Sequence, residues 1–452
     1  MHVFRRILLP TGMCLAGRTV VSVSSTLNDL ARSGDVGSIY EIGRQILDKE
    51  RSVDNESNRM HEAKLWLEIA AENGHAESQF LLGVLLIENF SKNEISMEKA
   101  KTSQDVIDRI NAIKKAARKA KKDRINSSKK TIKSVEKSKQ SESPHICSSD
   151  CIHHGDLGVY KVMNSDNIPN EGDGKVWLKR AARGDHGKAM CYLGNLYLAE
   201  NTEDGIQNAL LWYNRAAKLP QPSSDALFNL GNIYFEGREN AGVPIDLPKS
   251  FEYFYSAALL GDISAQYWIG HCYLTGEGGS PLVDYDKSIE FFSKAANAHH
   301  YKAHYYLSSI YRSGLSSPHG CIAANKDLFL SHLRISVSGH DDDAQYCMAD
   351  ILMHGDDSLG IPEDKLQARR YYELASEQGH VEATVSLGAL HYHGLCGLSK
   401  DSRKAFEVYN KAAEMGSKEA WRNLASMYHL GDGVPKSEET AKQIMKIVKN
   451  MP

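Results

Sequence analysis

The chain has no uninterrupted apolar run approaching the roughly 20 residues that a membrane-spanning helix needs, and its mean hydropathy is −0.42. No transmembrane segment is therefore expected. It has no phosphate-binding P-loop, no nucleophile elbow and no H-E-x-x-H motif, so none of the enzyme classes those motifs announce is indicated. We expect a non-enzymatic protein with no cofactor. A large charge of one sign is missing too, because 54 Lys and Arg against 57 Asp and Glu leave −3. That small sum hides a split. Residues 92–140 hold 16 Lys and Arg against 6 Asp and Glu, an excess of ten positive charges, so the rest of the chain stands at −13. Cysteine is sparse at eight residues, and Cys191, Cys272 and Cys347 fall in apolar helical segments. A reduced cysteine there behaves as a small apolar side chain, which points to a reducing compartment.

What the chain has in abundance is one pattern, repeated. Residues 226–237 read "ALFNLGNIYFEG", with a small residue, a Leu-Gly pair, a tyrosine and a closing glycine. Variants begin at Ser38, Ser78, Ala189, Ala265, Ala303, Ala344, Ala383 and Ala420, and from Ala189 onward the spacings are 37, 39, 38, 41, 39 and 37. A fixed period in this range is the signature of a helical solenoid. Each copy is followed by a second helical stretch with an aromatic residue four before an alanine: Trp66, Trp177, Trp212, Tyr253, Phe291 and Tyr371 share that slot. That ring is expected to fill the gap to the next unit. Glycine turns at Gly74, Gly184, Gly261, Gly339, Gly379 and Gly416 are expected to close the second helices in the left-handed conformation. Asp246, Asp284, Asp364 and Asp401 are placed to cap their starts. Neither helix of such a pair can bury its apolar stripe alone, so the units must stack into a continuous core.

Stretches such as "LGDGVPKSEETA" at 430–441 and "LSKDSRKAFEVYNKAAEMG" at 398–416 resemble the Sel1-like repeat family, a relative of the tetratricopeptide repeats. The resemblance spans about 28–90 and 173–450. It implies an all-α fold, a right-handed α-solenoid of about nine helix-turn-helix repeats, with the last second helix at about 437–449 as a cap. One unit departs from the pattern: "LFLSHLRISVSG" has Ser331 and Ile335 where the aromatic and alanine belong, next to a long loop at 314–325 where irregular curvature is expected. Some members of the family pair two cysteines in each repeat, and no repeat here does so. Members of the family act as assembly factors, degradation adaptors and signalling scaffolds. The resemblance thus implies an adaptor or scaffold that binds a protein or peptide in its concave face, for instance in organelle assembly or quality control.

Between Gly83 and Gly194 lie 111 residues where one period would give about 38. The surplus, 91–172, enters between the two helices of the second unit, and no repeat slot falls inside it, so it reads as separable from the core. Its first part carries Ile107, Ile110, Ile113, Ala117 and Ala120 at helical spacing, and the text after Ser127 is too poor in apolar residues to fold. Lys114, Lys115, Arg118, Lys119, Lys121 and Lys122 form a basic arm for an anionic partner, RNA or an acidic surface through 92–140. A solvated spacer is the plainer reading, since no aromatic residue interleaves the lysines for base stacking. The organisation is therefore 1–27 as a presequence or tail, 28–90 as repeats, 91–172 as the insertion and 173–450 as repeats with a capping helix. Arg5, Arg6 and Arg18 with no acid before Asp29 give residues 1–27 a mitochondrial transit composition, with the secretory pathway and the cytoplasm as the alternatives.

The candidate sites are few. Cys147, Cys151, His153 and His154 offer four zinc ligands in one short cluster, but zinc sites usually join two pairs across a longer loop. His391 and His393 sit at a repeat position rather than in a ligand pattern, so no metal site is assigned. The residue three before the glycine slot is aromatic in six units, at Tyr40, Phe80, Phe228, Tyr267, Tyr305 and Tyr346. The residue after that slot is Asn195, Asn232, His271, Ser309 and Asp350 in successive units. On the adaptor reading Phe228, Tyr267, Tyr305 and Tyr346 with those five polar residues line the concave face. Packing within the repeat is the competing explanation for the aromatic slot. The two asparagines are reminiscent of a carboxylate clamp, but the required cations are missing, and Cys191, Tyr267 and His271 stand in their places.

Overall fold

The computed structural model describes residues 34–48, 56–90, 174–280, 282–317 and 320–451, with isolated positions at 31, 113, 115, 116 and 119. The chain divides into two compact units, 1–222 and 223–452. The first holds α1 (Val36–Asp48), α2 (Glu56–Glu72), α3 (Ala76–Phe90), α4 (Gly174–Arg183), α5 (Gly187–Ala199) and α6 (Glu203–Ala217). The second holds α7 (Ser224–Glu236), α8 (Leu247–Leu259), α9 (Ile263–Thr275), α10 (Tyr285–Asn297), α11 (Tyr301–Ser313) and α12 (Lys326–Ser338), then α13 (Asp342–His354), α14 (Lys365–Glu377), α15 (Val381–His393), α16 (Ser402–Glu414), α17 (Lys418–Leu430) and α18 (Glu438–Asn450). Odd and even helices alternate as the first and second members of a repeat, giving nine pairs among the described residues. The 314–325 loop of the sixth pair holds a two-stranded antiparallel hairpin, β1 (Leu315–Ser317) with β2 (Gly320–Ile322).

Local chemistry sets the helix starts. Asp246, Asp284, Asp364 and Asp401 each accept the backbone N–H three residues on, at 3.1, 3.0, 2.9 and 2.9 Å. The first helices are capped the same way by Ser223, Asp262, Asp341 and Ser417. A side-chain acceptor satisfies one of the four N–H groups that every helix start leaves without an intrahelical partner.

Within a repeat the two helices meet where the first carries its Leu-Gly glycine. A Cβ built on Gly231 would stand 2.7 Å from the Phe254 ring, on Gly270 2.8 Å from Phe292 and on Gly388 2.6 Å from Tyr409. Such separations are below any real Cβ contact, so only glycine lets the ring close the crossing. Ser250 and Ser288, both buried, donate at 2.8 Å to the carbonyls of Gly231 and Gly270, which ties the helices at the same point. One correction concerns which ring closes the crossing: it comes from the position after the slot expected to fill the gap between units, while Phe291 of that slot does reach the preceding repeat, 5.7 Å from Tyr255. The side chain over the glycine is Tyr213, Phe254 or Phe292, each following the expected slot. The rings of that slot pack elsewhere: Tyr253 stacks on Tyr234 of its own first helix at 5.7 Å, and Phe291 lies 6.2 Å from Tyr273.

The turns need a second correction. The left-handed residue after the second helix is glycine at Gly74, Gly261, Gly379 and Gly416, but it is Asp185 and His340, not Gly184 and Gly339, in two other repeats, and His299 in a third. Gly339 has an ordinary negative φ; it is small because the Tyr301 ring lies where its Cβ would be.

Residues 91–112 and most of the remainder of the insertion lie outside the described residues. Its flanks do not: α3 and α4 pack directly together, a Cβ on Gly83 falling 2.8 Å from Leu178 and 2.9 Å from the Gly174 carbonyl. Ile113 of the insertion is only 2% exposed and sits in the first-repeat core with Ile39, Ile42, Trp66 and Ile69. The segment is thus not fully separable from the repeats, because at least one of its apolar residues completes a core.

Two stability predictions follow from this packing. Gly231→Leu should lower the melting temperature by an amount equivalent to about 1–3 kcal/mol of overpacking. Gly231→Ala adds helix propensity worth up to about 1 kcal/mol, so its loss should be smaller and should vanish when Phe254→Leu makes room. A Gly231→Leu variant as stable as the parent in thermal denaturation would remove the crossing from the account. Ile113→Ala should cost about 2 kcal/mol by leaving a cavity against Trp66. Deleting 91–172 should likewise weaken the first repeat, where a solvated spacer would leave urea unfolding unchanged.

Candidate functional site

The face lined by the first helices is made of residues two, three and six positions after each repeat's small residue. The structure splits the expected aromatic row into two kinds. Tyr40, Phe80, Tyr267 and Tyr346 each lie on a histidine, at ring distances of 4.5 Å to His75, 5.1 Å to His186, 4.6 Å to His300 and 4.6 Å to His380. Each of those histidines caps the next repeat's first helix: Nδ1 accepts the backbone N–H three residues on, from Ser78, Ala189, Ala303 and Ala383. The outward nitrogens of two reach back to carboxylates of the preceding first helix, His186 Nε2 to Glu77 at 2.6 Å and His380 Nε2 to Asp343 at 3.4 Å. The aromatic slot is therefore a joint between repeats wherever the next cap is histidine. The signal was present in the sequence as a histidine three before the small residue, at 75/78, 186/189, 300/303 and 380/383, and the sequence reading passed over it.

Where the next cap is aspartate the ring has no such partner. Phe228, followed by the cap Asp262, leans on Phe254 at 5.3 Å. Tyr305, followed by Asp341, touches Tyr306 at 5.9 Å. Trp268 and Tyr306, one position further on, and Phe235 extend the surface, together with the expected His271: Phe235 meets Trp268 at 4.9 Å, Trp268 meets His271 at 5.9 Å, and His271 meets Tyr306 at 5.5 Å. Phe235, Trp268, His271, Tyr306 and Tyr305 thus form a chain of half-buried rings across α7, α9 and α11. Burial, with Asp341 and Asp343 adding to it, pushes the phenols of Tyr267 and Tyr305 up, and burial lowers His271, so these rings are uncharged at neutral pH.

The polar row does not act as a set. Asn195 belongs to the first unit and accepts the Tyr213 hydroxyl at 2.5 Å; Asp350 accepts the Tyr372 hydroxyl at the same distance. Both serve their own repeat's crossing. Asn232 and His271 face Phe254 and Phe292 repeats, whose rings carry no hydroxyl, and Ser309 is exposed. Of the basic arm, Lys115 and Lys119 are exposed single positions, and Lys114, Arg118, Lys121 and Lys122 lie outside the described residues.

The chemistry available is slight. Cys272, Cys347 and Cys396 are free, and burial pushes the Cys272 thiol up to about 12, away from a reactive thiolate. Cys147, Cys151, His153 and His154 lie outside the described residues. Among the described residues the one carboxylate group close enough to hold a metal is Asp341, Asp342 and Asp343. Asp341 caps α13, and Asp343 pairs with Lys302 at 3.1 Å and with His380. Among the described residues no helix is long and apolar enough to cross a membrane.

The repeat architecture agrees with known proteins. The model of the Sel1 repeat family matches residues 57–75, 187–220, 224–262, 263–300, 342–380, 381–417 and 419–446, together just over half of the chain. The chain belongs to the Sel1-repeat family. The second and sixth helix pairs, holding the insertion and the hairpin, fall outside the matched segments. Among solved structures it is similar to c5321, a protective antigen present in uropathogenic Escherichia coli strains displaying an SLR fold, with 23% identity, 95% of this chain and 79% of that chain covered, and a TM-score of 0.52. It is also similar to a Sel1 repeat protein from Oxalobacter formigenes, with 23% identity, 57% and 98% covered, and a TM-score of 0.48. No curated protein matches at a significant level. Sel1-repeat arrays are commonly protein-interaction scaffolds and typically non-catalytic.

Asp341 gives a pH prediction. Burial, with Asp342 and Asp343 nearby, raises its carboxyl to about 6 against the pull of the Ala344 N–H and Lys302. An acid whose folded pKa is raised is most favourable when protonated, so its contribution is full below about pH 4 and is lost as pH rises through about 6. Asp341→Asn keeps the cap without the charge. It should raise the melting temperature at about pH 7.5 and make no difference at about pH 3.5; an equal effect at both would mean that the carboxylate is not destabilised.

Proposed function

We propose that this protein is a non-catalytic adaptor that binds another protein, or a peptide segment of one, on the first-helix face of residues 223–452. The observation that carries the reading is the ring chain from Phe235 to Tyr305. Trp268 and Tyr306 also lean on the crossing rings Phe254 and Phe292, at 5.8 and 5.2 Å, and Tyr305 on the core around Phe329, yet the row stays partly exposed. Large, rigid amphipathic rings are what protein-binding surfaces are enriched in, because they bury much area at little conformational cost. The alternative is an RNA-associated protein using the basic stretch 92–140, whose ten surplus charges support it.

Tyr305→Ala separates the two readings, since Tyr305, like Phe228, is a slot ring that no cap histidine holds. Partners identified by proximity labelling with the full chain should be lost from Tyr305→Ala, with helical content unchanged and only a modest fall in melting temperature, since the ring also packs on the core around Phe329. Their retention should be insensitive to nuclease and nearly insensitive to salt. A steep fall in association with rising salt, abolished by replacing Lys114, Lys115, Arg118, Lys119, Lys121 and Lys122 with Gln, would instead establish the RNA reading, because each neutralised phosphate releases counterions.

A further inference from the structure

The start of α11 is held on both sides by imidazoles. His300 caps the helix, its Nδ1 accepting the Ala303 N–H at 3.2 Å while its ring lies on Tyr267 of α9. One turn on, buried His304 faces His332 of α12, Nδ1 to Nδ1 at 2.8 Å, and also bonds the Ala296 carbonyl of α10. His332 is the seventh residue of α12, where α8 and α10 carry the slot rings Tyr253 and Phe291, so this pair's slot holds His332 rather than the expected Ser331. Its ring stacks on Tyr311 at 5.9 Å.

Both arrangements need uncharged rings. A protonated Nδ1 on His300 would turn a donor toward the N–H that it now accepts. The facing nitrogens of His304 and His332 are joined by one proton, and a proton on each would set two donors and two positive charges against each other. Among the described residues none of the three rings pairs with a carboxylate, unlike His186 and His380. The other charged or titratable groups at this joint are His299 in the turn, Tyr267, the α11 residues Lys302, Tyr305 and Tyr306, Tyr311 under His332, and Asp341 and Asp343 at the start of α13. Those two carboxylates act on Tyr267 and Lys302, and Asp343 pairs with Lys302 at 3.1 Å. Burial lowers all three histidines, and the neighbouring Lys302, His299 and His304 add to it, against smaller pulls from the backbone at Ala296 and His300.

We propose that the start of α11 is a proton-sensitive joint, released from α10 and α12 as its histidines take up protons, and that partner binding on the ring row is lost with it. The second part rests on the adaptor reading. Tyr305 and Tyr306 follow His304 directly on α11, and Tyr306 meets Tyr267 at 5.8 Å and His271 at 5.5 Å. Movement of this helix start therefore parts the row between α9 and α11. The sign follows from linkage. A histidine kept neutral by the fold, while the unfolded chain titrates near about pH 6.5, gives stability that is full above about pH 7 and falls away below about 6.5. The Ser223 hydroxyl that caps α7 does not titrate and brings no such dependence.

Hydrogen exchange of the full chain, read peptide by peptide and corrected for the intrinsic effect of pH, tests the joint without any partner. Between about pH 7.5 and about pH 5.5, protection across 301–313 should fall about tenfold or more relative to 224–236. His300→Asn keeps a capping side chain. His304→Gln installs the residue that stands at the same place as Gln266 and Gln345 in two other repeats. With both changes the two helices should respond to acid alike. Equal loss from both helices of the parent would overturn the proposal, as would a selective loss across 301–313 that the double variant reproduces. The parent's own contrast keeps the test decisive if the double variant folds poorly. Partners captured at about pH 7.5 should leave the parent at about pH 5.5 and stay on the double variant. Their retention by a parent whose α11 has lost protection would overturn the second part and count against the ring row as the binding face, with the joint itself standing.

Discussion

Everything in this structure hangs on how closely two helices of one repeat can approach. At the crossing the first helix presents bare backbone and the second presents a ring. The missing methyl group of Gly231, Gly270 or Gly388 is the space that Phe254, Phe292 or Tyr409 occupies. Glycine in a helix interior costs roughly 1 kcal/mol against alanine, and the array accepts that cost repeatedly because a ring buried flat against a helix returns more than it forfeits. The serine hydroxyl that reaches the same glycine's carbonyl then makes the crossing specific as well as tight.

A crossing of this kind explains why the chain can tolerate a long insertion in one repeat and a hairpin in another. Each pair closes on itself first and on its neighbours second. The helices α3 and α4 remain in contact although 83 residues separate the end of one from the start of the other, since a longer loop adds only slowly to the entropy of closure. The departures lie in the connections, and the crossings remain. In the sixth pair, Ser308 and Leu333 stand at the crossing in place of glycine and a ring, and both are buried.

Much of this was legible from sequence, and the errors share a cause. The period, the small residue, the aspartate caps and the nine pairs could be read because each is a residue type at a fixed offset. The ring register could not, because Trp212-Tyr213, Tyr253-Phe254 and Phe291-Phe292 are adjacent aromatics, and only the direction of the side chain separates the one over the glycine from its neighbour. The turn glycines failed because the left-handed residue is the one immediately before the next helix's cap, which is glycine before Asp262, His380 and Ser417 but Asp185, His299 and His340 before His186, His300 and Asp341. Ile113 was visible as part of an apolar stripe, but the core it joins, from Ala31 to Ala70, lies more than 40 residues earlier in the chain, and no local pattern carries that information.

The histidine caps decide which part of the first-helix face is structural and which part is free. A capping imidazole is large and flat, so it needs something to lie on, and the ring of the preceding repeat supplies that surface. A capping aspartate is small and needs nothing. Changing the cap from His to Asp therefore releases the preceding ring from the joint without altering the repeat that bears it. Tyr305 is released in this way by Asp341, whereas Tyr267 and Tyr346 are held by His300 and His380. An array built on one consensus can in this manner leave a slot ring outside the joint between repeats at chosen positions.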